Sequence, residues 1–72
     1  MENNLNLYYI FYTVALHKNI SGAAKELYIS QPAISKAISK LEQSLDVILF
    51  HRSSRGVTLT MEGELLFAQV QT

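Results

Sequence analysis

The sequence of 72 residues has no cysteine and no tryptophan, only one proline and only three glycines. Without cysteine the chain can form neither a disulfide nor a thiolate zinc site, so its stability must come from a packed core, and a reducing cytosol is the expected compartment. No apolar run approaches the roughly 20 residues that span a bilayer, and no signal peptide is recognisable. We expect a soluble, unprocessed single domain, too small to enclose a large catalytic cavity.

Net charge is also absent, because six basic residues balance six acidic ones, but the two signs are separated along the chain. All six basic residues lie between residues 17 and 56 with only three acidic ones, so this segment carries +3. The other three acidic residues are Glu2, Glu62 and Glu64. A basic segment of this kind is typical of phosphate-binding proteins, although an ordinary mixed surface would produce the same small bias.

Apolar residues at helical spacing predict three helices in the first part of the chain. The first helix covers residues 5–18 and has two apolar faces. Ser21 is predicted to cap a second helix that ends at Tyr28, and Ser30 to cap a third. Pro32 falls in the first turn of this third helix, where its missing N–H would have had no intrahelical partner.

After Leu45 the spacing of apolar residues changes. Residues 47–60 have two β-branched or aromatic patches on either side of Ser-Ser-Arg-Gly, which predicts a two-stranded hairpin. Thr60 is predicted to cap a last helix. Three helices, a hairpin and a fourth helix, with a short turn between the second and third helices, predict an all-α fold with a small β-hairpin wing, the winged helix-turn-helix.

The third predicted helix has one apolar and one polar face. At 100° per residue, the stripe formed by Ile34, Ile38, Leu41 and Leu45 lies opposite Pro32, Lys36, Ser39 and Gln43, with Ser35 and Lys40 at the flanks. Short side chains at the start of such a helix permit close approach to a major groove, where Pro32 and Ala33 can contact a thymine methyl group and Lys36 can reach guanine acceptors. The alternative is a solvated helix face.

Other chemistries receive little support from the sequence. Tyr8, Tyr9 and Tyr12 lie at helical spacing beside leucines, so we expect them in the core or in a dimer surface rather than stacked on bases. His17 and His51 lack the partners of a metal site and are expected to be partly exposed polar residues.

Two other functional classes compete with nucleic-acid binding. An enzyme would need a nucleophile with a base, paired carboxylates or a metal, and Glu62 and Glu64 lie on different sides of one helix. The stronger alternative is a protein-interaction module whose first and last helices bind a partner while the basic segment is incidental.

Several linked motifs make the prediction more specific. Ala-Ala occurs at 23–24, Ser-Gln-Pro-Ala-Ile-Ser at 30–35, Leu-Glu at 41–42, Leu-Phe-His-Arg at 49–52 and Leu-Thr-Met-Glu-Gly at 59–63. With these motifs, nearly the whole chain resembles the N-terminal DNA-binding domain of LysR-type transcriptional regulators. The sequence departs from the usual pattern at three positions: Gly22 replaces a larger residue, Lys36 replaces a frequent arginine, and Asp46 replaces a common glycine.

The resemblance implies a homodimeric bacterial repressor or activator that binds palindromic double-stranded DNA. Its third helix would read the major groove and its wing the adjacent minor groove. Base contacts would fall on Gln31, Pro32, Ser35 and Lys36, the minor-groove contact on Arg55, and phosphate contacts on Asn19, Ser21, Ser30, Lys40 and Arg52. No catalytic residue, cofactor or metal is implied.

The resemblance also implies a division of the chain. Residues 1–59 would be the DNA-binding domain, and residues 60–72 the start of a dimerising linker helix. Dimerisation through the first and last helices is expected because a monomer of this size is not expected to bury both surplus stripes, which are Leu5, Tyr8 and Tyr12 on the first helix and Leu65, Leu66, Phe67 and Val70 on the last. The family's effector-binding domain, roughly 200 further residues, is not in this sequence, so we expect an excised domain or a truncated product that answers to no small molecule.

Overall fold

Four helices and one antiparallel hairpin follow one another in the predicted order. The computed structural model describes residues 4–71. Its elements are α1 (Asn4–His17), α2 (Ile20–Leu27), α3 (Gln31–Leu45), β1 (Phe50–Ser53), β2 (Gly56–Leu59) and α4 (Met61–Val70). The predicted winged helix-turn-helix is confirmed. None of the helices within this part of the chain is long and apolar enough to cross a membrane.

The caps of three helices confirm two sequence predictions and correct one. Ser30 caps α3 and Thr60 caps α4, as predicted, since their hydroxyl oxygens accept from the backbone N–H groups of Ala33 and Gly63. The N-cap of α2 is Asn19, so the prediction of Ser21 in that role was wrong. Ser21 lies inside the first turn of α2, because the helix begins one residue before it.

Left-handed residues other than glycine follow the first three helices. Lys18 has a φ of 62°, and Tyr28 and Asp46 each have a φ of 58°. This conformation costs an L-residue roughly 1–2 kcal/mol. Part of the cost is offset at Tyr28 and Asp46, whose N–H groups donate to carbonyl oxygens in the last turn of the helix they end. The chain therefore turns sharply after each of these helices without a glycine at the turn.

The core lies between α1, α2 and α3 and is closed by the hairpin. Its fully buried large side chains are Phe11, Val14, Ile34, Ile38, Leu41 and Leu49. Phe50 closes the core from β1, with its ring centroid 5.3 Å from that of Phe11. The apolar stripe predicted for α3 is therefore the face that packs, except that Leu45 remains 38% exposed at the end of the helix.

The first and last helices partly cover each other within one chain. The rings of Tyr12 and Phe67 stack with a centroid distance of 5.4 Å, and Tyr8, Leu66 and Val70 pack against the core. These contacts bury the two stripes only in part, as expected for a monomer, and the side chain of Leu5 lies outside the described residues. Tyr9, Leu16, Met61 and Leu65 remain between 54% and 76% exposed.

Thr60 and Gly63 attach α4 to the segment that precedes the hairpin. The Thr60 hydroxyl donates to the carbonyl oxygen of Ile48 at 2.7 Å, and the Thr60 N–H donates to that of Leu49 at 3.0 Å. A Cβ atom at Gly63 would collide with the Leu49 carbonyl oxygen. Glycine is needed here because the first turn of α4 approaches the backbone at residue 49 so closely.

Glu42 fixes the start of the hairpin. Its carboxylate oxygen Oε2 accepts from the backbone N–H of Leu49 at 2.8 Å and from that of Phe50 at 3.4 Å. Both residues are buried, so these N–H groups have little access to water. One side chain on α3 thus supplies the hydrogen-bond acceptor that the entry into β1 requires.

Replacing Glu42 by alanine should therefore destabilise the domain. We expect Glu42→Ala to lower the free energy of unfolding by about 1–3 kcal/mol, because two N–H groups of buried residues lose a charged acceptor. Urea denaturation followed by circular dichroism measures this loss. The matched control is Gln43→Ala at the exposed neighbouring position, which should change stability by less than about 0.5 kcal/mol. Equal losses for the two variants would contradict the role of Glu42.

Candidate nucleic-acid interface

The outward face of α3 is polar, basic and open to solvent. Gln31, Pro32, Lys36, Ser39 and Lys40 are all exposed, whereas the opposite face is buried. Pro32 lies in the first turn, as predicted, and the Ser30 hydroxyl oxygen accepts from the Ala33 N–H at 3.2 Å. The face therefore begins at a helix N-terminus, whose backbone N–H groups and dipole favour anions.

The starts of α2 and α3 and the hairpin line one shared groove. Ser21 from α2, Gln31 from α3, and Arg52, Ser53 and Ser54 from the hairpin all lie along it. Three of these residues were predicted to bind DNA. The fold brings them together although they are separated by up to 31 positions in the sequence. Ser53 and Ser54 were not singled out, and their only signal was the turn-forming composition around them.

Arg52 connects the hairpin to the polar flank of α3. Its Nη1 atom donates to the hydroxyl oxygen of Ser35 at 3.3 Å. Within residues 4–71 this is the one hydrogen bond between two side chains that joins the hairpin to α3. Arg52 and Ser35 were predicted to bind phosphate and a base edge respectively, and the structure makes them neighbours.

Arg55 lies in the turn of the hairpin and is exposed. Its backbone N–H donates to the hydroxyl oxygen of Ser53 at 3.2 Å, which orders the turn. β2 is held near the turn by a bond from the N–H of Val57 to the carbonyl oxygen of Lys18 at 3.0 Å. The wing is therefore fixed to the turn between α1 and α2 through the residues that directly follow Arg55, while Arg55 itself remains exposed.

Gly56 permits this attachment of the wing. Its φ of 128° belongs to a region that L side chains rarely adopt. A Cβ atom at this position would also collide with the carbonyl oxygen of Lys18. The predicted placement of this glycine at the hairpin is explained by both facts.

The side-chain amide of Asn19 makes two hydrogen bonds within the chain. Its Oδ1 atom accepts from the N–H of Gly22 at 2.5 Å, and its Nδ2 atom donates to the carbonyl oxygen of His17 at 3.1 Å. One N–H of the amide group is left for an external acceptor. The predicted phosphate contact at Asn19 therefore depends on that one N–H, whereas Ser21 is exposed in the first turn of α2.

One side-chain contact between α1 and α2 was not foreseen. Nε2 of His17 lies 2.6 Å from Oε1 of Glu26, and the two side chains are 33% and 51% exposed. The sequence had suggested only a partly exposed polar residue at position 17. The spacing of nine residues gives no local signal, because the contact forms only when α1 and α2 pack together.

The comparison with protein families identifies the class of the chain. The model of the bacterial regulatory helix-turn-helix protein of the lysR family matches residues 5–64. The chain belongs to this family.

Curated relatives are transcriptional regulators. The chain is 59% identical over 49 residues to PerR of Escherichia coli, a match that covers 68% of this chain and 16% of PerR. It is 41% identical over 68 residues to BlaA of Proteus vulgaris, covering 94% of this chain and 23% of BlaA. Both are described as HTH-type transcriptional regulators. The chain thus spans about a fifth of the length of such relatives.

Solved structures of similar fold include complexes with DNA. The CbnR DNA-binding domain in its DNA complex matches with a TM-score of 0.91 and 37% identity, over 99% of this chain and 79% of that one. The BenM DNA-binding domain in complex with catB site 1 DNA matches with a TM-score of 0.89 and 34% identity, over 99% of this chain and 77% of that one.

Loss of the Asn19 cap should destabilise the domain. Asn19→Ala should lower the free energy of unfolding by about 0.5–2 kcal/mol, because the N–H of Gly22 loses its acceptor. Ser21→Ala is the matched control and should change stability by less than about 0.5 kcal/mol, since Ser21 caps nothing and is exposed. Thermal unfolding of the three proteins side by side measures both effects. A larger loss at Ser21 than at Asn19 would show that the cap is misassigned.

Proposed function

We propose that this chain binds double-stranded DNA sequence-specifically, with α3 in the major groove and the hairpin in the adjacent minor groove. The observation that carries the proposal is the shared groove, where the starts of α2 and α3 meet the basic hairpin. The DNA complexes of the similar CbnR and BenM domains support it. In the protein that contains it, this domain would act in transcriptional regulation.

Base recognition is assigned to the first half of α3. The amide group of Gln31 can pair with the N6 and N7 atoms of adenine, and Pro32 can contact a thymine methyl group. Ser35 lies one turn after Gln31 on the same side of the helix. Lys36 can donate to the O6 or N7 atom of guanine, but as a point charge rather than as the planar fork of an arginine.

Phosphate contacts are assigned to residues around this helix. Those proposed are Asn19, Ser21, Ser30, Lys40 and Arg52. Because the Ser30 oxygen already accepts from Ala33, its hydroxyl proton remains free for a phosphate oxygen. The N-terminal dipoles of α2 and α3 add to the attraction. Arg55 is assigned to the minor groove, since it is exposed in the turn of a wing that is fixed to the rest of the domain directly after that turn.

A second copy of the chain is the proposed protein partner. The exposed apolar side chains on α1 and α4, which are Tyr9, Leu16, Met61 and Leu65, offer a surface for it. Residues 60–72 would begin the linker helix of the dimer, following a DNA-binding domain of residues 1–59. We propose no enzymatic activity, metal or cofactor for this domain, place its action in the cytoplasm, and assign any small-molecule effector to a separate domain.

Selection of bound sites from random duplexes tests the function. We expect a palindromic consensus with half-sites about one helical turn apart, because the two-fold axes of protein and DNA must coincide. Two of the proposed phosphate contacts, Lys40 and Arg52, are cationic, so raising salt from 50 to 200 mM should weaken binding of one half-site by roughly tenfold. Binding that is indifferent to salt, with no consensus, would favour the interaction module instead, and a single half-site would contradict the dimer.

Lys36 and Arg55 should affect binding differently. Lys36→Ala should cost about 1–3 kcal/mol at the selected site and relax the preference at one base position. Arg55→Ala should mainly remove a preference for A/T-rich flanks, where a narrow minor groove attracts arginine. Titrations against selected, flank-altered and random duplexes measure both. Equal losses on all three would mean that both residues contact only phosphate.

A further inference from the structure

The hydrogen bond between Arg52 and Ser35 determines how the serine hydroxyl can be used. A serine hydroxyl has one proton to donate and two lone pairs that accept, whereas a guanidinium group only donates. Since Nη1 of Arg52 lies 3.3 Å from the Ser35 oxygen, the oxygen must be the acceptor. The hydroxyl proton of Ser35 then has to point away from Arg52.

Ser44, on the same helix, uses its hydroxyl proton in the more usual way. The hydroxyl of Ser44 donates to the carbonyl oxygen of Leu41 at 2.9 Å, so its proton is used within the helix. Within residues 4–71, Ser35 makes no such bond to its own helix. Its proton is therefore available to a ligand on the outward side of α3. Ser35 lies one turn after Gln31, which lines the shared groove.

We propose that Arg52 is a positioning residue that makes Ser35 a hydrogen-bond donor toward the major groove, so that the domain rejects cytosine at the base position that Ser35 contacts. The inference rests on the proposed function. It assigns Arg52 a role in sequence specificity in addition to any attraction for phosphate.

The rejected base follows from the chemistry of the major groove. Guanine, adenine and thymine each present at least one acceptor there, whereas cytosine presents only its N4 amino donor. A hydroxyl that is free to rotate can donate to the first three bases or accept from cytosine. A hydroxyl oxygen that already accepts from the Arg52 guanidinium keeps one lone pair and its proton. Accepting a second N–H, from cytosine, brings another positive hydrogen toward that guanidinium, so donation to one of the three acceptor bases is favoured.

The phosphate role predicts a different result for the same residue. The guanidinium group has five N–H donors, so donating one to Ser35 leaves four for a phosphate oxygen. A phosphate contact carries no sequence information. Loss of that contact weakens binding to every duplex equally, whereas loss of the positioning contact changes the ratio between duplexes. The two roles are therefore separable in one experiment.

The test compares five proteins on four duplexes: the unaltered chain, three single variants and one double variant. Ser35→Ala first identifies the base position whose preference depends on the hydroxyl, and the duplexes then carry each of the four bases at that position. Arg52→Met removes the guanidinium group and keeps an unbranched side chain of similar length. Arg55→Met is the matched control, because it removes the other hairpin arginine without touching Ser35. Ratios of dissociation constants are measured for each protein, since a ratio does not depend on the fraction of active protein.

The unaltered chain should bind the cytosine duplex roughly 2- to 10-fold more weakly than the best duplex, the range expected for one neutral hydrogen bond. Arg52→Met should bring this ratio close to one, and Arg55→Met should leave it unchanged. In the Ser35→Ala background, Arg52→Met should lower binding to all four duplexes alike.

Two results would overturn the inference. If Arg52→Met weakens binding but keeps the rejection of cytosine, Arg52 is a phosphate contact only, and the proposed function stands. If the unaltered chain selects no site from random duplexes, the proposed function fails, and this inference fails with it.

Discussion

The carboxylate of Glu42 is the constraint on which the DNA-facing surface depends. By accepting from the N–H groups of Leu49 and Phe50, it fixes where the hairpin begins relative to α3. Side chains two positions apart lie on the same face of a strand, so Arg52 follows Phe50 on the side that faces the helices. Phe50 packs on Phe11 in the core, and Arg52 reaches Ser35 on α3. Glu42 on α3 thus determines that Arg52 is the hairpin residue that lies next to this helix.

The second attachment of the wing acts at the other strand. The N–H of Val57 donates to the carbonyl oxygen of Lys18, in the turn that leads into α2. The hairpin is therefore held to α3 through β1 and to the start of α2 through β2. A two-stranded hairpin is only marginally stable by itself in water, so these contacts, rather than its own ladder, keep the wing in place. The same contacts bring the starts of both helices and the wing to one groove.

The fold could be predicted from the sequence because its signals are local. A helix is indicated by apolar residues at helical spacing, and its start by a cap or a proline, all within a few positions of one another. The structure confirms these signals at Ser30, Pro32 and Thr60. The cap of α2 was misplaced because two residues able to cap, Asn19 and Ser21, stand two positions apart in the sequence. Propensity does not distinguish them. The structure distinguishes them because the left-handed residue Lys18 directly follows α1, which leaves the next residue, Asn19, in position to cap α2.

The sequence could name candidate residues for the site, but it could not predict their arrangement. Motifs resembling a known family identified Ser35 and Arg52, yet no spacing rule relates residues that are 17 positions apart on different elements. The role of Glu42 was missed for the same reason, since its partners lie on the far side of the turn after α3. The mutual cover of Tyr12 and Phe67 likewise requires α1 and α4 to be placed side by side. Long-range geometry of this kind is set by the packing of the core rather than by local pattern.

The arrangement also explains how a chain without net charge can present a basic surface. Within the basic segment, Glu42 directs its carboxylate to backbone N–H groups at the start of the hairpin. Asp46 caps the C-terminal end of α3, which has 15 residues and therefore a length of about 22 Å. That distance exceeds two Debye lengths at physiological salt, so Asp46 has little effect on a phosphate group at the helix N-terminus. The sum of charges is zero, but Arg52 and two helix N-termini lie near the start of α3. A phosphate group that approaches the groove therefore meets a positive local field.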